Sequence, residues 1–299
     1  WLASGFASSG AESTSNIVEE AALPFDLRRN GMVMGMGAAS FVVERKSSAD
    51  ERGVQPIAEL LGAKTANSAY HGTRLDVEHV AKTVNEFIGE METRWGLDRH
   101  AIAADLVFYS HETYTPARGG SAQSEVKALR QTFGKSTDSM LIANTKGFTG
   151  HPMAVGIEDA SMFYGLLTKR IPPIANHKVA DEELGNLNLS KGGDYPNLTY
   201  GLRFGAGFGS QIGLSFVRAW PIVGERIDGK RLLSWCRSLA GSQDIQLRLL
   251  DNKLVAYVDG DDNLHGGIQG EMYGITAPYE GLPPQEAPVQ QPPVETAPP

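Results

Sequence analysis

The stretch ADLVFYSHETYTPARGGSAQSEVKALRQTFG, residues 104–134, contains a complete strand, loop and helix. ADLVFYS (104–110) is a short apolar run, which suits a strand buried in a sheet. After a turn-rich segment, Ala122, Val126, Leu129 and Phe133 recur along one helical face, and Gly134 supplies a C-terminal stop. MLIAN (140–144) reads as the next strand. It leads through NTKGFTGHPMAVG (144–156) into a further helix expected to begin near Pro152. Strand, helix, strand, helix in this rhythm predicts a layered α/β fold.

The flanking sequence extends the pattern in both directions. From Asn30, GMVMGMGAASFVVER (31–45) has strand character, and its close glycines suit packing against neighbouring backbone. PIAELLGAK (56–64) is a second strand candidate. LDVEHVAKTVNEFIGEM (75–91) sets Val77, Val80, Ala81, Val84, Phe87, Ile88 and Met91 at helical spacing. Toward the C-terminus, LTYGLRFGAGFGSQIGLSFVRAW (198–220) reads as two strands around a glycine-rich turn, and the main domain is expected to span 1–220. Residues 221–282 form an extension holding the short helix KRLLSWCRSL and a hairpin over 245–260, with Asp251-Asn252-Lys253 at its turn. Residues 283–299 are proline-rich and read as an extended, disordered linker. The opening WLASGFASSG has the composition of a packed interior, so the chain is expected to be part of a longer polypeptide.

Composition excludes several classes. The net charge of −8 comes from mixed acidic and basic residues without a basic block, which argues against nucleic acid as a partner. No apolar run approaches the roughly 18 residues of a membrane span, so a cytoplasmic protein is expected. The single cysteine, Cys236, precludes an internal disulfide and reads as a half-buried small hydrophobe. Histidines, cysteine and carboxylates nowhere fall at metal-ligand spacing, so no metal site is expected.

His111 and His151 each follow a predicted buried strand. Ligand sites in α/β sheets form at the C-terminal ends of strands, so two histidines at equivalent ends can converge. Taken singly, either histidine reads as a hydrogen-bonded core residue. Their surroundings favour chemistry: hydroxyls and glycines follow His111, and Lys146 stands five positions before His151, which is expected at a helix N-terminus. A neutral histidine there can donate a hydrogen bond to an oxygen that becomes negative. The turn GAGFGSQ (205–211) is followed by a strand and not a helix, which removes it as a dinucleotide loop. Its free amides could instead face an oxyanion.

These segments together resemble the β-ketoacyl synthases. SHETYTPARGGSAQSEVKALRQTFG is similar to the family's HGTGT segment, and NTKGFTGHPMAVGIEDA to its KSxxGHxxGAAG segment, in the same order and at a similar spacing. LPFDLRRNGMVMGMGAASFVVER, IPPIANHK and FGAGFGSQIGLSF resemble further family motifs, so the likeness covers about residues 1–220. It implies a thiolase-like fold of layered α-β-α-β-α architecture, mainly its C-terminal half. It also implies decarboxylative condensation of an acyl thioester with a malonyl-type extender, in polyketide or fatty-acid biosynthesis. His111, His151 and Lys146 would be catalytic, the histidines holding the extender's oxyanion. Thr113 and Thr115 would touch the carrier's pantetheine arm. Phe208 and Gly209 would bind substrate, with Phe208 lining the acyl pocket and its amide serving a second oxyanion hole. The implied partners are an acyl carrier protein, the missing N-terminal half and a second copy in a homodimer. No cofactor belongs to the domain itself, since phosphopantetheine arrives on the carrier.

Departures from the family motifs are specific. Glu112 and Tyr114 stand where glycines are usual, so a different backbone path is expected there. Met36 replaces a glutamate, and the shortened AVG leaves open whether Glu158 or Asp159 matches the family's acidic residue. These features suggest a large multidomain synthase. The family's cysteine nucleophile lies upstream of the PFD motif and is expected outside this sequence. The alternative is a ketosynthase-like scaffold or chain-length partner that does no chemistry. Half of such a sandwich would expose apolar faces, which predicts poor solubility in isolation.

Overall fold

The computed structural model describes residues 2–72, 74–115, 120–152, 156–250 and 253–258. The chain divides into two compact units, one of residues 1–43 with 56–223 and one of residues 44–55 with the C-terminal part from Gly224. The second unit therefore takes a segment from within the 1–220 span as well as the chain beyond it.

The helices and strands, in chain order, begin with α1 (Leu2–Ser8), α2 (Val18–Ala21), α3 (Lys46–Glu51), β1 (Ala58–Asn67), α4 (Val77–Trp95), α5 (Arg99–Ile102) and β2 (Leu106–Tyr109). Then come α6 (Ser121–Phe133), β3 (Leu141–Ala143), α7 (Lys146–Thr149), α8 (Ile157–Thr168), β4 (Arg170–Pro173) and β5 (Lys191–Asp194). The last are β6 (Tyr200–Gly207), β7 (Gln211–Ala219), α9 (Gly229–Ala240), β8 (Ile245–Leu250) and β9 (Lys253–Val258).

The first unit is built on a five-stranded mixed sheet in the order β1-β7-β6-β2-β3. β1 and β6 flank β7 antiparallel, whereas β2 runs parallel to both β6 and β3. Side-chain alternation along β2 sorts the core into two layers. Leu106 and Phe108 pack with α4 and α6, through Val84, Phe87, Val126 and Leu129. Val107 and Tyr109 pack on the opposite face with Met162 and Leu166 of α8. Burial on both faces explains the unbroken apolar run of this strand.

α4 starts where the Asp76 carboxylate accepts a hydrogen bond from the His79 amide, and it ends at Gly96, whose φ of 63° closes the helix in the left-handed region. Its expected core face is buried except at Val77, which is half-buried. Gly62 of β1 has no side chain because a Cβ there would come 2.5 Å from the Met91 sulfur.

Three sequence expectations change. The run 31–45 forms no strand: only Met32 and Met34 make isolated bridges, to Glu12 and His151, and the rest is irregular. Its glycines do serve close backbone approach, since a Cβ on Gly35 would lie 2.0 Å from the Thr149 carbonyl oxygen. The helix expected near Pro152 begins only at Ile157, preceded by the single turn α7. In the second unit Lys253 pairs with Leu250 within the β8–β9 hairpin and not in its turn, while Asp251 and Asn252 lie outside the described residues, as does the proline-rich stretch 283–299.

Within that second unit, Val54 bridges Ile227, Asp228 caps α9 through the Arg231 amide, and the Arg52 guanidinium lies 5.6 Å from the Trp235 ring. Cys236 is a free, half-buried thiol on α9. Among the described residues, no helix is long and apolar enough to cross a membrane.

Candidate active site

Parallel pairing of β2 with β3 sets Tyr109 beside Ala143, so both strands end at one edge of the sheet. His111 leaves β2 two residues after Tyr109. Its backbone is fixed by its own amide donating to Glu125 Oε1 at 2.8 Å and by its carbonyl accepting from Lys146 Nζ at 3.1 Å. His151 is held differently. Its amide donates to the Val33 carbonyl at 2.7 Å, and its carbonyl accepts from the Gly35 amide at 2.9 Å. The ring is thus carried on a short bridge to Met34 and not on a helix N-terminus, so the expected helix dipole does not act there. Gly35 and Gly150 make the bridge possible, because a Cβ on Gly150 would come 2.8 Å from Gly35 Cα.

The two imidazoles meet edge to face, with centroids 5.4 Å apart and planes at 86°. Phe204 packs edge to face against His111, with centroids 6.3 Å apart. Among the described residues, Nδ1 of His151 has no hydrogen-bond partner. Both rings are held neutral. Burial, followed by the positive charge of Lys146, pushes His111 well below the usual imidazole range and His151 down to about 4.

Lys146 is buried completely, and its ammonium sits 2.9 Å from Glu158 Oε1. Burial brings the lysine down to about 8, with the nearby Arg203 acting in the same direction, while Glu158 offsets part of the shift. Of the two acidic residues that the sequence left open, Glu158, at the start of α8, is the one beside Lys146. Asp159 instead lies 3.6 Å from Arg203 Nε. Arg203 also approaches Glu158 Oε2 at 3.5 Å, so two cations share one buried carboxylate. Behind His111, burial first of all raises Glu125 to about 8.

Glu112 and Tyr114 have become internal braces of the loop. Glu112 is fully buried, and its carboxylate accepts from the Tyr114 amide at 3.1 Å and from the Ser121 hydroxyl at 2.6 Å. Tyr114 holds a φ of 51°, a conformation that glycine adopts without strain, and its phenol oxygen accepts from the Val33 amide while its single proton lies within reach of the Val33 and Lys146 carbonyls. The side chains thus anchor the loop at the two positions where the sequence lacks glycine.

Of the proposed site residues, the fold brings His111, His151 and Lys146 together. Thr113 lies in the same loop, buried, with its amide donating to the Ser121 hydroxyl at 3.1 Å. Thr115 is half-buried beside it. Phe208 is half exposed and stacks on Phe6 at 5.7 Å, and Gly209 donates its amide to the Gly72 carbonyl at 3.1 Å. No group of three or more histidines, cysteines or carboxylates among the described residues could hold a metal ion.

Over 209 residues the chain is 31% identical to 3-oxoacyl-[acyl-carrier-protein] synthase 2 of Staphylococcus aureus, covering 69% of this chain and 49% of that protein. The chain carries ketosynthase homology. The protein of the same name from Coxiella burnetii is 34% identical over 183 residues, 60% of this chain and 42% of that one. The ketosynthase-like chain thus spans about half the length of the curated relatives it matches. No protein-family model matches it. Among solved structures, a beta-ketoacyl synthase from Burkholderia phymatum superposes with a TM-score of 0.63 at 25% identity, covering 74% of this chain and 52% of that one. A type II polyketide-synthase acyl-carrier protein in complex with its ketosynthase matches at a TM-score of 0.64 and 24% identity, over 73% and 52% of the two chains. The fold is therefore the thiolase-like fold of these ketosynthases.

Proposed function

We propose that these residues form the decarboxylation site of a β-ketoacyl synthase, acting on a malonyl-type thioester. The observation that carries this reading is the pair of buried imidazoles 5.4 Å apart and edge to face, His111 just past β2 and His151 on the bridge to Met34. When the carbon–carbon bond to the extender's carboxylate breaks, carbon dioxide leaves. The bonding electrons then pass into the enolate, where the thioester oxygen gathers negative charge. Two ring N–H groups directed at that oxygen stabilise the charge as it forms, each worth about 3 to 4 kcal/mol of barrier.

Neutral histidines suit this task. A histidine already protonated at neutral pH would pay for its charge in a buried site before reaction begins. Lys146 adds positive potential without touching the rings, by fixing the His111 carbonyl and the first turn of α8. The enolate carbon then attacks an acyl thioester, which in this family's chemistry is borne on a cysteine expected upstream of the residues shown. In the same reading, the extender and acyl chains arrive on an acyl carrier protein, and the whole protein is a homodimer and a multidomain type I synthase, a reading supported by the departures from the family motifs.

The test is carbon dioxide release from a malonyl thioester by the full polypeptide that contains these residues. His111→Ala and His151→Ala should each lower the rate about 10² to 10³-fold. Equal rates in both variants and the parent would sink the assignment.

A further inference from the structure

One charged side chain at the site was not suggested by any motif. Arg203 lies on β6 beside β2, and its side chain is nearly inaccessible to water. Its Nη1 donates to the Tyr109 carbonyl at 3.2 Å and to the Ser110 carbonyl at 3.3 Å, the two residues that lead into His111. The other end of the same guanidinium faces α8, with Nη2 3.5 Å from Glu158 Oε2 and Nε 3.6 Å from Asp159 Oδ2. Only a planar fork of donors reaches carbonyls on one side and two carboxylates on the other.

We infer that Arg203 is a positioning residue for the histidine pair: it locks the end of β2 that carries His111 to the start of α8, and places a fixed charge behind both rings. The inference rests on the decarboxylation reading for its kinetic consequence, but not for its electrostatic one. The charged groups that act on the two imidazoles are Lys146 of α7 and Arg203 of β6, with Glu158 of α8 acting on His151, while Glu125 of α6 accepts from the His111 backbone amide and Asp159 lies against Arg203. Of these, Lys146 and Arg203 oppose protonation of both rings, and Glu158 favours it at His151. Lys146 and Arg203 stand against Glu158 and Asp159, so removing the Arg203 charge takes one cation out of a cluster of two cations and two carboxylates.

The experiment follows His111 and His151 by NMR titration of their ring C–H signals in the parent, Arg203→Gln and Arg203→Lys, with decarboxylation kinetics alongside. Removing the charge should raise both midpoints by about half a pH unit and move the acid limb of the rate upward with them. Arg203→Lys, which keeps the charge but loses the fork, should leave the midpoints in place. At a pH where the rings are neutral, both variants should lose roughly tenfold in kcat with KM preserved, since the ring geometry loosens. Unmoved midpoints in a folded Arg203→Gln overturn the inference whatever the rate does, because a purely structural arginine predicts that result. If Arg203→Gln does not fold, Arg203→Lys decides: a fall in kcat at constant KM supports the inference and an unchanged kcat refutes it. A parent that releases no carbon dioxide defeats the decarboxylation reading alone, and the NMR midpoints still test Arg203.

Discussion

Lys146 keeps an ammonium group entirely out of water, and its nearest counter-charge is the equally buried Glu158 at 2.9 Å. Breaking such a pair from one side leaves an uncompensated charge, whose cost commonly exceeds what the intact pair contributes. Lys146→Met should therefore destabilise the fold by about 2 to 4 kcal/mol in denaturant unfolding, somewhat less than usual because Arg203 still faces Glu158. Adding Glu158→Leu to Lys146→Met should restore part of that loss. His151 leads to a pH prediction. Its imidazole is held down to about 4 from 6.5, first by burial and then by Lys146, so the folded chain binds fewer protons than the unfolded chain between these values. Its contribution to stability is complete above about pH 6.5 and disappears as the pH falls through about 4. Glu125, raised to about 8, acts in the opposite sense, contributing below the usual carboxylate range and losing its effect as the pH rises through 8. The His151 part is isolated by subtraction: His151→Asn should show a weaker acid-side decline of unfolding free energy than the parent between pH 6.5 and 4.

At the scale of elements, the ring of His151 depends on two glycines meeting backbone to backbone. Gly35→Ala would place a methyl group 2.0 Å from the Thr149 carbonyl oxygen, and rigid backbone cannot give way cheaply. The variant should lose about 10- to 100-fold in decarboxylation while its far-ultraviolet circular dichroism stays that of the parent, because the bridge lies outside the main sheet. Phe87, fully buried between α4 and the sheet, gives the contrasting case: Phe87→Ala should cost about 3 to 5 kcal/mol of stability in chemical denaturation. The difference tracks what was legible in the sequence. α4, β2, α6 and β3 announce themselves because their periodic apolar faces are the same ones that pack. The strand reading of 31–45 fails because its glycines and small residues serve one crossing with Gly150 and not a ladder. The two histidines and Lys146 were readable from motif and strand-end logic. Arg203 was not, because a single arginine in an apolar strand carries no periodic signal and its partners around the site lie 44 to 94 positions away. Glu112 and Tyr114 were visible only as departures, and their bracing role emerges once Ser121 and Val33 are beside them.

Across the whole molecule, the first unit buries its two core layers well yet leaves an apolar stretch open to water. Met36, Val42 and Val43, all in the irregular segment 31–45, are exposed by 94%, 83% and 74%, an unusual concentration of exposed large apolar side chains. The chain should therefore self-associate as its concentration rises in sedimentation velocity, and Val42→Lys with Val43→Glu should suppress this without lowering the melting temperature. Behaviour as a strict monomer at all concentrations would contradict it. The parallel pairing of β2 and β3 acts at this scale too. His111 and His151 are neighbours because β2 pairs with β3 and because the bridge to Met34 holds His151 beyond α7, and not because of the connection that joins the two strands. The turn at Gly134–Asp138 enters β3 from the end remote from the rings. Insertions and deletions there can accumulate over evolutionary time without displacing either imidazole, so the length of that connection should drift among descendants of this gene while the catalytic distance stays constant.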